Sequence, residues 1–600
     1  MFKCLSPVFL TGLSLFAVAP VAMSQQSADT DTLEPILVTA PLGPRTIAEG
    51  LSSVTTIDET EIRRQQPRQF SELLRAQPGV TVQTGGGVAQ QTSVYTRGHE
   101  SDATVLLVNG IRIRAAASGI PAWEFVPAQL VNHVDIVRSG RSSLYGADAM
   151  GGVVQVFTTP QEYGRHGWVE AGAGNLGTQE YGAGLSAVDD KGSLNIGLAH
   201  SATDGAPVIE GGKDKASDNT AGTFNASREF DNGVRLDLTY LGAEGNVEYE
   251  GGDKDFRFQT AGLGVDIPVN DFWRTSLQFS DARDEQTYFS EFGTSDVDSQ
   301  TRTSRLENWF VAGVHEFVVG AEVMDDRVSG SDSYLEDSRR NDAFFGQALL
   351  NFGPADVHLS ARSDDNEAFG SHETWGGAFG YQLGDGYRIS LSTGTSYITP
   401  SFNDLYSPWG GANPDLEPEE AISYEAALER QSANWFWKLA LFRSDVENLI
   451  VSAFPAPSFN ADEAKLQGAE LEAGWASNGW SAKAAVSIGD FEDKETGEPL
   501  PFRPEQTARV DLDKEFDRFY VGTSLIAENH KYERNGTTRI PGYANWDLRT
   551  GAKLLEKLSI DLAVNNVLDK EGQIREYQDG VNYITAGRTF TASVRYEFGL

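Results

Sequence analysis

The chain is nearly without sulfur, with one cysteine and 4 methionines in 600 residues. A single thiol excludes an intrachain disulfide framework and leaves no cysteine cluster for a structural zinc. Basic side chains are also few, 48 against 86 acidic ones, and a net charge of -38 repels nucleic acid. That charge reads first as solubility and second as carboxylates available to a cation. Past residue 24 no apolar run approaches the ~18 residues that a spanning helix needs. Catalytic constellations are missing too. His99, His133 and His200 are scattered, and neither Gly-x-Ser-x-Gly nor His-Glu-x-x-His occurs, so an exported enzyme has no support.

The lone Cys4 belongs to a leader. Lys3 gives a positive start, Val8 to Ala22 an apolar stretch, and Ala22-Met23-Ser24 a small-residue cleavage site before Gln25, so residues 1–24 are expected to be a signal peptide. Cys4 precedes the apolar stretch and is too early to be lipidated. An exported chain without spanning helices is either soluble beyond the inner membrane or a β-barrel in an outer membrane. The 62 Gly, 32 Phe, 19 Tyr and 11 Trp suit turn-rich antiparallel β structure.

Residues 25–44 read as a polar tail carrying one hydrophobic heptad, Glu34-Pro35-Ile36-Leu37-Val38-Thr39-Ala40. With no neighbour in sequence to pair with, the heptad suits strand addition to another protein's sheet edge; the alternative is a first edge strand of the next domain. Residues 45–160 form an α+β unit. Val54 to Ile57 reads as a strand, and Asp58 or Thr60 as the cap of a short helix ending at Arg64. Phe70, Leu73 and Leu74 mark a second helix, stopped by Pro78-Gly79. Strands follow at 80–84, 93–96, 105–108, 111–113, 134–137 and 153–157, with Asn109-Gly110 as a hairpin turn.

After Pro160 the texture changes. Leu194, Ile196 and Leu198 alternate with Ser193, Asn195 and Gly197. Val234, Leu236, Leu238 and Tyr240, then Trp435, Trp437, Leu439 and Leu441, and finally Phe590, Ala592, Val594, Tyr596 and Phe598 repeat the pattern. Period-two segments of about ten residues are what a tilted membrane strand requires when one face meets lipid. Short connections such as Asp189 to Gly192 and Gly384 to Gly386 alternate with long polar ones such as Asp204 to Asn219 and Asp325 to Asn341. Residues 161–600 accommodate about 22 strands at roughly 20 residues each, a size class whose lumen needs filling. The expected fold is mainly β: a 22-stranded antiparallel transmembrane β-barrel with the α+β unit as a plug inside its lumen. A propeller would show a period of about 40–50 residues, and none is visible. Within the plug, Arg97, Arg138 and Arg141 are candidates to pair with barrel-wall carboxylates, or alternatively to serve local folding.

Several of these stretches resemble TonB-dependent outer-membrane transporters. Glu34 to Ala40 is similar to a TonB box. Ser93 to Gly98, Leu107 to Arg112 and Ile136 to Thr159 are similar to the family's plug. Gly394 to Pro400 with Leu405-Tyr406, Asn413 to Glu419, and Asn566 to Lys570 are similar to its barrel. The resemblance implies a monomer in the outer membrane of a Gram-negative bacterium, drawing energy through TonB and the ExbB/ExbD complex, in contact with membrane lipid, without nucleic acid and without a catalytic cofactor. Within the family, Tyr145 to Ala149, Ala361 to Asn366 and Thr585 to Arg588 look like the cobalamin receptors, which implies cobalamin or a related corrinoid as cargo; a ferric siderophore, haem or a glycan is the alternative. By the same resemblance the cargo contacts fall at Gln91, Ser93, Glu100, Ser118 and Gly119, with Arg503 as a lower-wall candidate. Glu100 stands where those receptors carry an amide. Asp214, Asp218, Glu248, Glu250, Asp253 and Asp255, on two acidic loops with Gly251-Gly252 allowing a bend, are the candidate ligands for Ca²⁺.

Overall fold

The structure, a computed structural model, describes residues 36–37, 45–46, 51–160, 162–452, 456–578 and 580–599. Its dominant feature is a closed barrel of 22 antiparallel strands, shut by pairing the first, Gly164–Gly174, with the last, Thr589–Gly599. Closure leaves no edge, as a lipid-embedded sheet requires. The period-two pattern explains which side faces where. Leu194, Ile196 and Leu198 are exposed on the outside, while Asn195 between them is buried and donates from Nδ2 to the carbonyl of Thr158 at 2.8 Å. Phe590, Val594 and Tyr596 also point outward. Exposed Phe230, Phe272, Phe352, Phe516 and Phe519 lie beside short turns and form part of an aromatic girdle. Among the described residues no helix is long and apolar enough to cross a membrane.

The strands are longer than the sequence pattern suggests. They run from 8 residues at Leu558–Asn565 to 20 at Gly293–Ala312, whereas a bilayer needs only ~9–11 per strand. Much of Asp325 to Asn341, read as a loop from its polarity, is ladder: His315–Gly330 and Ser338–Asn351 pair with Asp325 opposite Arg340 and Asp326 opposite Arg339. The ladder likewise resumes at Ser217, inside the stretch expected to be open. Above the membrane both faces of a hairpin can be polar, so the alternation that marks a strand disappears while its hydrogen bonds persist.

The plug fills the lumen. Its five-stranded sheet has the order Ser53–Ile57, His133–Arg138, Gly152–Phe157, Thr104–Val108, Ile111–Ile113, with Gly152–Phe157 and Thr104–Val108 parallel. A two-stranded sheet, Val80–Thr84 with Thr92–Thr96, stands beside it. Asp58 caps helix Glu59–Gln65 by accepting from the Glu61 amide at 2.8 Å. Asn109 and Gly110, with φ of 48° and 82°, make the expected hairpin turn. The core of Ile57, Phe70, Trp123, Ile136 and Val154 continues into the barrel, where Phe125 stacks on Phe256 with centroids 3.8 Å apart. Ile36–Leu37 pairs antiparallel with Arg45–Thr46. The remaining heptad positions Glu34, Pro35, Val38, Thr39 and Ala40, and the proposed leader, lie outside the described residues.

Candidate functional site at the plug and barrel interface

The polar centre of the interface is built by two plug arginines and two wall glutamates. Arg97 ends the strand Thr92–Thr96 at a positive φ of 52°, which turns its side chain onto the wall. Its Nε and Nη2 donate to Glu470 at 2.8 and 3.0 Å and its Nη1 to Glu425 at 2.6 Å, with the guanidinium 4.7 Å above the Phe442 ring. Arg138 brings its Nε within 3.2 Å of Glu470 and donates from Nη1 to Thr55 and to the Pro78 carbonyl. Ser53 and Thr55 donate to Glu425 and Glu472. Arg97 is 4% and Glu425 and Glu470 are each 3% exposed. Burial opposes the Arg97 charge, but Glu470 and Glu425 outweigh it and hold its pKa above the ordinary value. Removing one member would leave a buried charge uncompensated, so the cluster behaves as a latch. Gly79 is part of it: at φ +65° its Cβ position lies 2.1 Å from Glu470 Oε1, leaving no room for a side chain.

The expected pairing holds for Arg97 and Arg138 but not for Arg141. Its Nε and Nη2 are shielded from solvent without a hydrogen-bond partner, and burial lowers its pKa against the opposing field of Glu425. A second ionic contact lies elsewhere on the wall, where Arg114 Nη1 meets Asp148 of the plug at 3.0 Å and Asp326 of the barrel at 3.3 Å.

On the plug's outer face the structure joins two of the expected cargo residues. Arg503, read from sequence as a wall side chain, is only 2% exposed: it donates to the carbonyls of Gly98 and Pro501 and, at 2.9 Å, to Glu100 Oε1, and lies 5.1 Å from the Tyr95 ring centroid. A carboxylate at position 100 therefore has a resident cation, which an amide would not need. Gln91 is exposed and its carbonyl accepts from the Gly85 amide, closing the glycine loop. Ser93 is half-buried within its strand. Ser118 and Gly119 sit on a turn closed by the Gly119 amide on the Ala115 carbonyl at 2.8 Å.

An outer barrel loop descends onto that turn. Helix Phe402–Tyr406 begins with a capping box between Ser401 and Asp404, and the Asn403 amide donates to the Ala117 carbonyl at 2.8 Å. The spacing Ser401-x-x-Asp404 is a signal that sequence reading passed over. Asp102 lies beside these groups; burial, with the negative fields of Glu100, Asp404 and Asp148, pushes its carboxyl up to about 8. His99 is driven the other way, to about 3, by burial and by Arg503 and Arg97.

The six acidic candidates do not converge, and among the described residues no three His, Cys, Asp or Glu side chains form a metal cradle. Each carboxylate that has a contact uses protein donors. Glu250 pairs with Lys215 at 3.1 Å, Glu248 accepts from the Ala216 amide, and Asn246 donates to Asp253 and Asp255. Asp218 sits in strand Ser217–Glu229 opposite Asn246, and Asp214 makes a lone bridge with Pro207. Pairing with neighbouring donors strings the carboxylates along the ladder, so this arrangement does not fit a hard cation.

A plug latched inside a 22-stranded barrel defines a gated outer-membrane transporter rather than an open pore. Comparison with known proteins agrees. Residues 46–153 match the TonB-dependent receptor plug domain and residues 168–567 the TonB-dependent receptor-like β-barrel. The chain belongs to the TonB-dependent receptor family: it is a TonB-coupled transporter of the Gram-negative outer membrane, in a family that carries no catalytic cofactor. Among relatives, it is 27% identical to a vitamin B12 transporter BtuB of Photobacterium profundum, across 97% of this chain and 99% of that one. Among solved structures, the ferric enterobactin receptor PfeA of Pseudomonas aeruginosa superposes with a TM-score of 0.79 at 16% identity, covering 91% of this chain and 98% of the other. The siderophore receptor PirA of Acinetobacter baumannii gives 0.78 at 17%, covering 92% and 99%. At those identities the two structures share the fold.

Proposed function

We propose that this receptor captures cobalamin or a related corrinoid outside the cell and passes it to the periplasm when TonB, energised through ExbB/ExbD, engages the heptad Glu34 to Ala40. The observation that carries the cargo is the likeness, along nearly the whole of both chains, to a relative named as a vitamin B12 transporter. The outer plug face suits it. Gln91, Ser93, Glu100, Ser118 and Gly119 offer amide, hydroxyl, carboxylate and backbone groups to a bulky ligand rich in amides, and Arg503 fixes the Glu100 carboxylate by a charge-assisted bond at 2.9 Å. A barrel that closes on its own strands needs no second copy to complete its wall, which supports reading the receptor as a monomer. Isothermal titration of the purified protein with cyanocobalamin tests the cargo: saturable heat with a Kd between nanomolar and micromolar is expected, and no heat with any corrinoid alongside binding of ferric enterobactin would overturn it. Leu37→Pro is expected to abolish uptake and spare binding, since proline removes a backbone donor from the strand that TonB would extend; loss of both would discredit the heptad's role.

A further inference from the structure

Of Arg97, Arg138 and Arg141, only Arg141 lacks a carboxylate: among the described residues it forms no ion pair, and its Nε and Nη2 have no hydrogen-bond partner. The residue is half-buried and lines a small cavity between plug and barrel, with Ser52, Ser139 and Leu144 on the plug side and Ser360, Thr393 and Glu425 on the wall. Glu425 is the one carboxylate-bearing residue on that lining. Its field favours the Arg141 charge more than that of any other group does, while Arg97 opposes it. Glu425 is already taken, by Arg97 Nη1 at 2.6 Å and by Ser53 Oγ at 2.9 Å. Lys438, the other cation that acts on Glu425, is engaged by the Ser52 carbonyl at 3.0 Å and by Glu429 at 3.3 Å. The cavity therefore holds one spare guanidinium beside one occupied carboxylate. A cation kept from water without a partner is costly, and a carboxylate that comes free within reach relieves it. Arginine can reach by changing rotamer, with no movement of its backbone.

We propose that Arg141 is a reserve partner for Glu425, taking over that carboxylate when Arg97 or Ser53 is withdrawn and giving the plug a second latched position on the wall. Its part in transport rests on the TonB reading above. Ser53–Ile57 is the strand of the five-stranded sheet nearest the heptad in sequence, so a pull on the tail removes the Ser53 donor from Glu425 early. Arg141 then holds the rest of the plug against the wall while one edge of it moves.

A double-mutant cycle on the purified full-length receptor tests this, read as the rate of plug cleavage by protease at a fixed denaturant concentration. Arg141→Met alone is expected to stay within twofold of the parent, because the resting residue carries no pair. Arg97→Ala is expected to speed cleavage, the double variant Arg97→Ala, Arg141→Met to speed it at least tenfold more, and Arg141→Lys in place of methionine to bring the rate back to within threefold of Arg97→Ala. With Glu425→Gln in the background, adding Arg141→Met to Arg97→Ala should change the rate by less than twofold, since no charge is left to take over. A double variant cleaved no faster than Arg97→Ala, one that lysine does not restore, or the same acceleration in the Glu425→Gln background would overturn the proposal. Should Arg97→Ala not fold, Arg97→Lys replaces it: at least threefold acceleration by Arg141→Met is then expected, and equal rates would overturn the proposal. None of these measurements uses cargo or TonB, so their failure strikes the reserve pairing alone, and failure of corrinoid binding strikes the cargo reading alone.

Discussion

The plug is held very differently on two sides. On the latch side Arg97 and Arg138 meet Glu425 and Glu470 with all four side chains at most 4% exposed. Elsewhere on the plug, helix Glu59–Gln65 is held by Arg63 to Glu597 at 3.0 Å and Arg64 to Glu515 at 2.6 Å, with the two glutamates 50% and 56% exposed. A third pair on this helix, Glu61 with Lys483, is also partly open to solvent. The bonds are of similar length and unequal worth. An exposed pair contributes about 0–1 kcal/mol, whereas breaking a buried one by removing a partner costs about 3–5 kcal/mol. The plug is therefore pinned along one wall and lightly tethered along another. The lightly tethered helix is also the first described one after the heptad Glu34 to Ala40, the segment proposed above to engage TonB.

The comparison can be broken most directly at the latch. Glu470→Ala should lower plug stability by about 3–5 kcal/mol, read as denaturant-induced loss of plug protection from protease, because both arginines lose their shared carboxylate. Gly79→Ala should act at the same place. A methyl group 2.1 Å from Glu470 Oε1 must displace the carboxylate, and an αL backbone adds strain, so a loss of about 2 kcal/mol or more is expected. If either variant unfolds like the parent, the latch is not what pins the plug.

A milder lever is pH. His99 is held near 3 against an ordinary value of 6.5, so the folded plug keeps it neutral while the unfolded chain protonates below that value. Stability from this group is complete above about 6.5 and is lost as pH falls toward about 3. Denaturation midpoints measured between pH 7 and 4 should fall, and His99→Gln should flatten that slope. An unchanged slope in the variant would assign the acid sensitivity elsewhere. The smallest effect is expected on the other side: Arg63→Ala should change plug stability by no more than about 1 kcal/mol. A loss comparable to Glu470→Ala would erase the asymmetry.

Much of this was legible beforehand. Outward Leu194, Ile196 and Leu198 against inward Asn195 gave the barrel, and the Asn109-Gly110 turn and the Arg97 and Arg138 latch candidates were visible as residue types. Their partners were not. Glu425 and Glu470 lie on strands separated in sequence, and nothing local marks them as inward-facing until barrel closure sets the register. Strand ends were misplaced because polar hairpins beyond the membrane lose their alternation but keep their ladder. The six acidic candidates stand out in sequence as charge density on two loops, but sequence does not show that Lys215 and Asn246 pair with Glu250, Asp253 and Asp255 along adjacent strands.

Hydrogen–deuterium exchange on the intact receptor in detergent tests the unequal grip most directly, by comparing the amides of helix Glu59–Gln65 with those of strand His133–Arg138. At least tenfold faster exchange in the helix is the result expected from light tethering. Equal protection of the two segments would contradict it.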